Sequence, residues 1–302
     1  MVDRKVSIII PCYNGARFLA ETLESALRQT EPAREIVVVD DGSKDASAEI
    51  AEATPGVRCV RQPNRGVSAA RNHGLRETSG EYVIFLDADD RLMPDAVGVG
   101  RRSLDENFDC GFVYGFARDI DVSGRVTGTH SANVSDARYQ TLLEGNTLVP
   151  SASAMFRRRA LESVGGFDEG IRLAQDHELY LRVAREHHIR SHNMLVVEYR
   201  LHEKNASRQS PTTMLNAVLH TIDLQEPWLR PGAELRDAAR RGRAHFRRLF
   251  APLIMAEMMD NLRAGNLKRS ARAGMALLRH SPEEIVRHAE QRAARTLRWL
   301  LA

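Results

Sequence analysis

The stretch EYVIFLDADD, residues 81–90, carries a mostly apolar run straight into three carboxylates, Asp87, Asp89 and Asp90. YVIFLD (82–87) reads as a buried strand, and a buried strand cannot hold that much unpaired negative charge. Either the acids lie at a solvent-facing strand end or something cationic meets them. The choice bears on both the fold class and the chemistry.

Upstream, VSIIIP (6–11) and EIVVVD (35–40) read as buried strands of the same apolar character, and VRCVRQ (57–62) as a third, short strand. Between them lie helical patterns: ARFLAETLESALRQT (16–30), a helix through Ala48, Ile50 and Ala51, and VSAARNHGLRET (67–78), closed by Ser79 and Gly80. Continuous apolar strands alternating with amphipathic helices predict an α/β fold, with a mostly parallel central sheet covered on both faces. Ligands of such sheets bind beyond the carboxyl ends of the strands. Three strands here end in polar residues suited to that place: Pro11-Cys12-Tyr13-Asn14, Asp40-Asp41-Gly42-Ser43 and Asp87-Ala88-Asp89-Asp90. They are expected to converge on one crevice.

Downstream the pattern is mixed. CGFVYGFARDI, PSASAMFRR and MLVVEYRLH (194–202) suggest further strands, and LAQDHELYLRVAREH (173–187) a helix. From about Met214 the chain reads as almost wholly helical, which predicts a first domain over 1–210 and a basic α-helical region over 211–302. From Leu215 onward, 16 Arg and Lys face 9 Asp and Glu, although the whole chain carries only +3. The 302 residues, 43% hydrophobic and 27% charged, are ordinary for a globular protein. Cys12, Cys59 and Cys110 have no CxxC spacing, which suits a reducing compartment. With no run of membrane-span length and no signal-peptide pattern, a cytoplasmic protein is expected. Nucleic acid is not an expected partner, because the basic residues are not interleaved with base-stacking aromatics.

Two carboxylates at i and i+2 on a loop leaving a strand can face one hard divalent cation. The alternative is that Asp89 or Asp90 caps a helix around Pro94. The second Asp pair, at the neighbouring strand end, weakens that alternative, since acids clustered in one crevice need a cation to be stable.

VSIIIPCYNG, EIVVVDDGSKDAS, NRGVSAARNHGL, GEYVIFLDADD and GGFDEG with AQDHELYLRVA, in that order and spacing, resemble the family 2 glycosyltransferases of the GT-A fold. The match covers about residues 5–205. It implies a Rossmann-like sheet with flanking helices, here followed by a C-terminal helical extension. It implies an inverting transfer of one sugar from a nucleotide-diphosphate donor, UDP-linked by expectation, to a hydroxyl of a glycan or lipid-linked acceptor in cell-surface polysaccharide or glycoconjugate synthesis.

By the same resemblance Pro11 and Tyr13 pack against the nucleotide base, with Asn14 beside them, and Asp41 accepts a hydrogen bond from the pyrimidine N–H. Arg71 lies near the phosphates or forms a surface ion pair. Asp87 and Asp89 address ribose and Mn²⁺ or Mg²⁺, His202 is a further metal ligand or a surface loop histidine, and Asp176 is the catalytic base. Gln175 stands where the family usually has Glu. Two other readings stay open: a sugar-phosphate nucleotidyltransferase, for which PCYNGAR is a poor phosphate loop, and a non-catalytic nucleotide-sugar-binding assembly protein. The basic tail is expected to pack on the chain, to form a homodimer, or to touch the inner face of a membrane through Trp299, Leu300 and Leu301.

Overall fold

The computed structural model describes residues 5–130, 138–145, 150–203, 205, 210–230 and 232–288. Trp299, Leu300 and Leu301, singled out above, lie outside the described residues. The chain forms two compact units, Met1–Leu142 with Asn146–Glu203, and Leu143–Gly145 with Lys204–Ala302.

The first unit runs β1 (Val6–Cys12), α1 (Ala16–Leu27), β2 (Glu35–Asp40), α2 (Ser47–Ala53), β3 (Arg58–Arg61), α3 (Val67–Glu77) and β4 (Tyr82–Phe85). It continues with β5 (Arg91–Leu92), α4 (Ala96–Glu106), β6 (Cys110–Ile120), β7 (Val126–His130) and α5 (Tyr139–Leu143), whose last residue belongs to the other unit. A 3₁₀ turn (Ser151–Ser153), β8 (Ala154–Arg157), α6 (Arg158–Ser163), α7 (Gln175–Glu186) and β9 (His188–Arg200) complete it. The sheet order is β3-β2-β1-β4-β8-β6-β9-β5, with β7 added on β6.

Every residue of β1 is buried. Its neighbours β2 and β4 run parallel to it, setting Ile8 between Ile36 and Ile84. Successive strand residues face opposite ways. Ile8 and Ile10 accordingly share a core cluster with Leu19 and Leu23 of α1, while Ile9 faces Gly74 of α3. Helices thus cover both faces, and β1, β2 and β4 end on one side.

Beyond β4 the sheet becomes mixed: β8 is antiparallel to β4 and β6, whereas β9 runs parallel to β6. The strand expected over PSASAMFRR is a 3₁₀ turn followed by four strand residues. Strand β9 begins at His188, earlier than MLVVEYRLH suggested. Its first residues alternate exposed and buried rather than forming an apolar run, and Asn193 at φ 56° interrupts the register.

The second unit contains α8 (Pro211–Asp223), α9 (Glu226–Leu229), α10 (Ala233–Arg263) and α11 (Leu267–His280). Gly242 of α10 is a contact point: a Cβ there would meet the Leu143 carbonyl oxygen at 1.8 Å. No described helix is long and apolar enough to cross a membrane.

Candidate active site

The tips of β1 and β2 are laced together. Asn14, in the left-handed region at φ 51°, donates its N–H to Ser43 Oγ (2.9 Å) and accepts the Lys44 N–H on Oδ1 (2.8 Å). Gly15 N–H donates to Ser47 Oγ (2.9 Å) and Ala16 N–H to Asp45 Oδ2 (3.1 Å). Tyr13 is 51% exposed, so it is not a core tyrosine, whereas Pro11 is buried within β1. Asp40 accepts the Ser43 N–H at 3.2 Å and shapes the turn.

Asp41 is buried and organises the entry to α3. Its Oδ1 accepts from Gln62 Nε2 (2.7 Å) and Arg65 N–H (2.8 Å), and its Oδ2 from Gly66 N–H (2.8 Å). A carboxylate oxygen can accept two hydrogen bonds, so Oδ2 retains capacity for one more.

Arg71 is not a surface residue. Helix α3 sets its guanidinium in the interior, where Nη1 lies 2.6 Å from Asp176 Oδ1 and Nη2 lies 2.8 Å from Asp87 Oδ1. The Phe167 ring lies beside it, 5.0 Å from centroid to guanidinium carbon. Burial opposes this charge, yet the two carboxylates hold it well above the usual arginine value. Here is part of the cation that residues 81–90 demanded.

Asp176 occupies the first turn of α7, where the helix dipole favours negative charge. Ala174, just before the helix, has a left-handed backbone at φ 57°. An alanine there costs about 1–2 kcal/mol, a strain located at the entry to the acid. Gln175 is the first residue of the helix.

The second carboxylate pair is held differently. Asp89 Oδ2 and His202 Nε2 are 2.7 Å apart, and the His202 ring stacks on Phe18 at 5.2 Å. Burial, then the charge of Asp87, raises the Asp89 carboxyl above the ordinary range, against the pull of His202. Asp90 is fully buried, and its Oδ1 accepts the backbone N–H of Arg200 (2.9 Å). Burial and the neighbouring acids push it well above the usual carboxylate value. Of the loop and helix-cap roles open to Asp90, capping is the one that fails: α4 starts at Ala96 with Asp95 before it, and Asp90, on the loop between β4 and β5, ties that loop to β9.

Arg200, missed in the sequence, completes this tie. Fully buried, it donates through Nε to the Asp89 carbonyl (2.9 Å) and through Nη2 to Glu21 (2.7 Å), with its guanidinium 4.5 Å from the Phe18 ring centroid. An arginine inside an apolar strand was the available signal, because a buried guanidinium requires partners.

Among the described residues no set of three or more His, Cys, Asp or Glu is disposed to hold a metal ion by itself. Asp89 and His202 nonetheless bring an oxygen and a nitrogen donor to one point. Mg²⁺ commonly takes only one or two protein carboxylates and fills its shell with substrate phosphate oxygens and water. Imidazole beside carboxylate also suits Mn²⁺, so the donor set fits a metal that arrives with a diphosphate.

Compared with known families, the chain matches the one described as Glycosyl transferase family 2 over residues 7–165. It is 32% identical over 206 residues to chondroitin synthase of Escherichia coli, a match covering 67% of this chain and 30% of that protein. The matched region spans about a third of the length of the curated relatives it resembles. Among solved structures, S. aureus TarS 1-349 in complex with UDP-GlcNAc is similar at TM-score 0.60 and 17% identity, over 91% of this chain and 92% of that one. Mannosyltransferase PcManGT from Pyrobaculum calidifontis, in complex with GDP-Man and Mn²⁺, is similar at TM-score 0.56 and 20% identity, over 91% and 86%. At these identities the structural likeness speaks to the fold, a GT-A sheet with flanking helices.

Proposed function

The chain belongs to glycosyl transferase family 2, and from that premise we propose that it moves one sugar, with inversion, from a UDP-linked donor to a hydroxyl of a glycan or lipid-linked acceptor. The observation that carries this reading is the convergence of Asp87 and Asp176 on the buried Arg71, beside the Asp89–His202 pair.

In this reading Tyr13 offers an exposed ring for the base, a contact worth about 1–3 kcal/mol. Asp41 Oδ2 accepts the pyrimidine N–H, and Asp87 lies on the ribose side. Asp89 and His202 would hold Mn²⁺ or Mg²⁺, which supplies charge neutralisation for the departing diphosphate. Arg71 donates to Asp176 Oδ1, which makes Oδ2 the less engaged oxygen and the one assigned here to take the acceptor's proton. As that proton leaves, the acceptor oxygen forms its bond to the anomeric carbon, the bond from that carbon to the diphosphate oxygen breaks, and nucleoside diphosphate departs. Supporting context comes from the relatives: several are named for polysaccharide synthesis, and one neighbour is a complex with UDP-GlcNAc. The domain boundary near residue 210, the cytoplasmic location, and dimer or membrane contact through the C-terminal helices belong to the same proposal.

Turnover of a panel of nucleotide sugars, with and without Mn²⁺, tests it through release of free nucleoside diphosphate. Pyrophosphate-dependent exchange would instead indicate a nucleotidyltransferase. Tight donor binding without turnover on any acceptor would indicate an assembly protein.

A further inference from the structure

A cavity of about 290 Å³ opens among α8, α10 and α11 of the second unit. Arg243, Arg247, Arg279, His220 and His280 line it, with Asp223 as the acid in its wall. Arg243 is already matched, with Nη2 2.9 Å from Asp223 and 2.5 Å from Glu226. Arg247 and Arg279 have no ion pair among the described residues. Two nitrogens of lining residues, Arg247 Nε and His280 Nδ1, are buried without a hydrogen-bond partner among the described residues. Burial, and then the charges of Arg247 and Arg279, hold the His280 imidazole below its ordinary value.

Gathered cations repel one another, and each buried unpaired donor costs about 1–3 kcal/mol. Folded proteins pair such groups, so an arrangement of this kind calls for a partner beyond the described residues. Two unmatched guanidinium groups, two imidazoles and Asn216 offer more donors than the two oxygens of a carboxylate can accept. Three oxygens on a tetrahedral centre match them better, and the planar fork of arginine suits phosphate. The volume is near the lower end for small-molecule sites, which leaves room beside a phosphoryl group for a small polar body.

We propose that this cavity is a second ligand site of the chain and that it takes a phosphoryl group carried on a small polar body such as glycerol or a sugar. The site lies wholly on α8, α10 and α11 and does not depend on the transfer reaction proposed above.

The test is calorimetric titration of the full-length chain with glycerol 1-phosphate at low salt, in wild type, in Asp89→Ala, and in the double variant Arg247→Gln/Arg279→Gln. Wild type and Asp89→Ala are expected to bind alike, with affinity falling as salt rises. The double variant is expected to lose at least tenfold, while melting no lower than wild type in phosphate-free buffer. Acetate and glucose should not bind. In parallel, retention on phosphatidylglycerol vesicles but not on phosphatidylcholine vesicles, lost in the double variant, would assign the phosphoryl group to a lipid headgroup. Glycerol phosphate binding without such retention assigns it to a soluble ligand. The proposal fails if neither probe binds saturably, if the double variant binds as wild type does, if acetate binds equally well, or if Asp89→Ala alone abolishes binding. None of those results bears on turnover of nucleotide sugars.

Discussion

Arg71 Nη1 lies 2.6 Å from Asp176 Oδ1, so the residue proposed as base is anchored by a guanidinium delivered from a different helix and shared with Asp87. Truncating one partner of a buried ion pair costs about 3–5 kcal/mol, because the survivors are left uncompensated. Asp87 and Asp176 are partly exposed, which places Arg71→Ala toward the lower end of that range. Arg71→Lys keeps the charge but cannot fork between two carboxylates, so it should recover part of the stability and little of the turnover. Chemical denaturation alongside steady-state rates checks both statements, and full activity in the lysine variant would contradict them.

Asp176→Asn retains an oxygen that can accept from Arg71, so the fold should persist. The amide cannot take up a proton. Turnover is expected to fall about 10²–10⁴-fold, with donor affinity changing by no more than a few-fold. A comparable loss of donor binding would place Asp176 in ground-state recognition instead.

Gly74 tests the packing of α3 on β1. Alanine is favoured over glycine inside a helix by about 1 kcal/mol. Here its Cβ would lie 2.2 Å from Ile9 Cγ2, on a side chain with no exposed surface. Overpacking costs of about 1–3 kcal/mol should win, and Gly74→Ala is expected to melt below wild type.

UDP is expected to raise the melting temperature only when Mn²⁺ or Mg²⁺ is present. At a hundredfold excess over Kd the gain is about 2.7 kcal/mol, several degrees for a domain of this size. Asp89→Ala should abolish the metal-dependent part. An equal shift in EDTA would count against the donor site as proposed.

His177, next to Asp176 in α7 but with its ring against the end of α5, gives the chain an acid sensitivity of its own. Its ring is buried, its Nε2 lies 3.2 Å from the Leu142 carbonyl, and burial lowers it from 6.5 to about 4. Between those values the unfolded chain binds a proton that the native chain refuses, so stability falls as pH drops through 6.5 toward 4. The loss, about 3 kcal/mol, is complete below the lower value. Urea midpoints for wild type and His177→Gln between pH 7 and pH 5 should converge as the pH falls, and parallel curves would dismiss the assignment.

The parallel half of the sheet was legible because β1, β2 and β4 are short apolar runs followed by polar tips; β2 spans the residues of EIVVVD, while the edge strand β3, Arg58–Arg61, is only partly buried. Antiparallel β8 and the early part of β9 were less legible, because HIRSHN follows burial alternation and a left-handed Asn193 rather than an apolar run. Within the site, the acids stood out by composition. What hid was pairing across the chain: Arg71 with Asp176, and Asp90 with the Arg200 backbone, are set by topology rather than by spacing. Asp90 shows the limit most plainly. Its neighbours in sequence suggest a loop acid, while its burial comes from β9, more than a hundred residues later.

The lacing of the first two strand tips has a thermodynamic consequence. Asn14, Gly15 and Ala16 are pinned by Ser43, Lys44, Ser47 and Asp45, so the backbone beside Tyr13 has surrendered its conformational freedom during folding. Ordering one residue costs about 1–2 kcal/mol, and here that entropy is lost before any ligand arrives. A nucleotide meeting this wall therefore spends little of its contact energy on arranging it, so affinity gained there should depend on the ligand's own flexibility more than on the loop's.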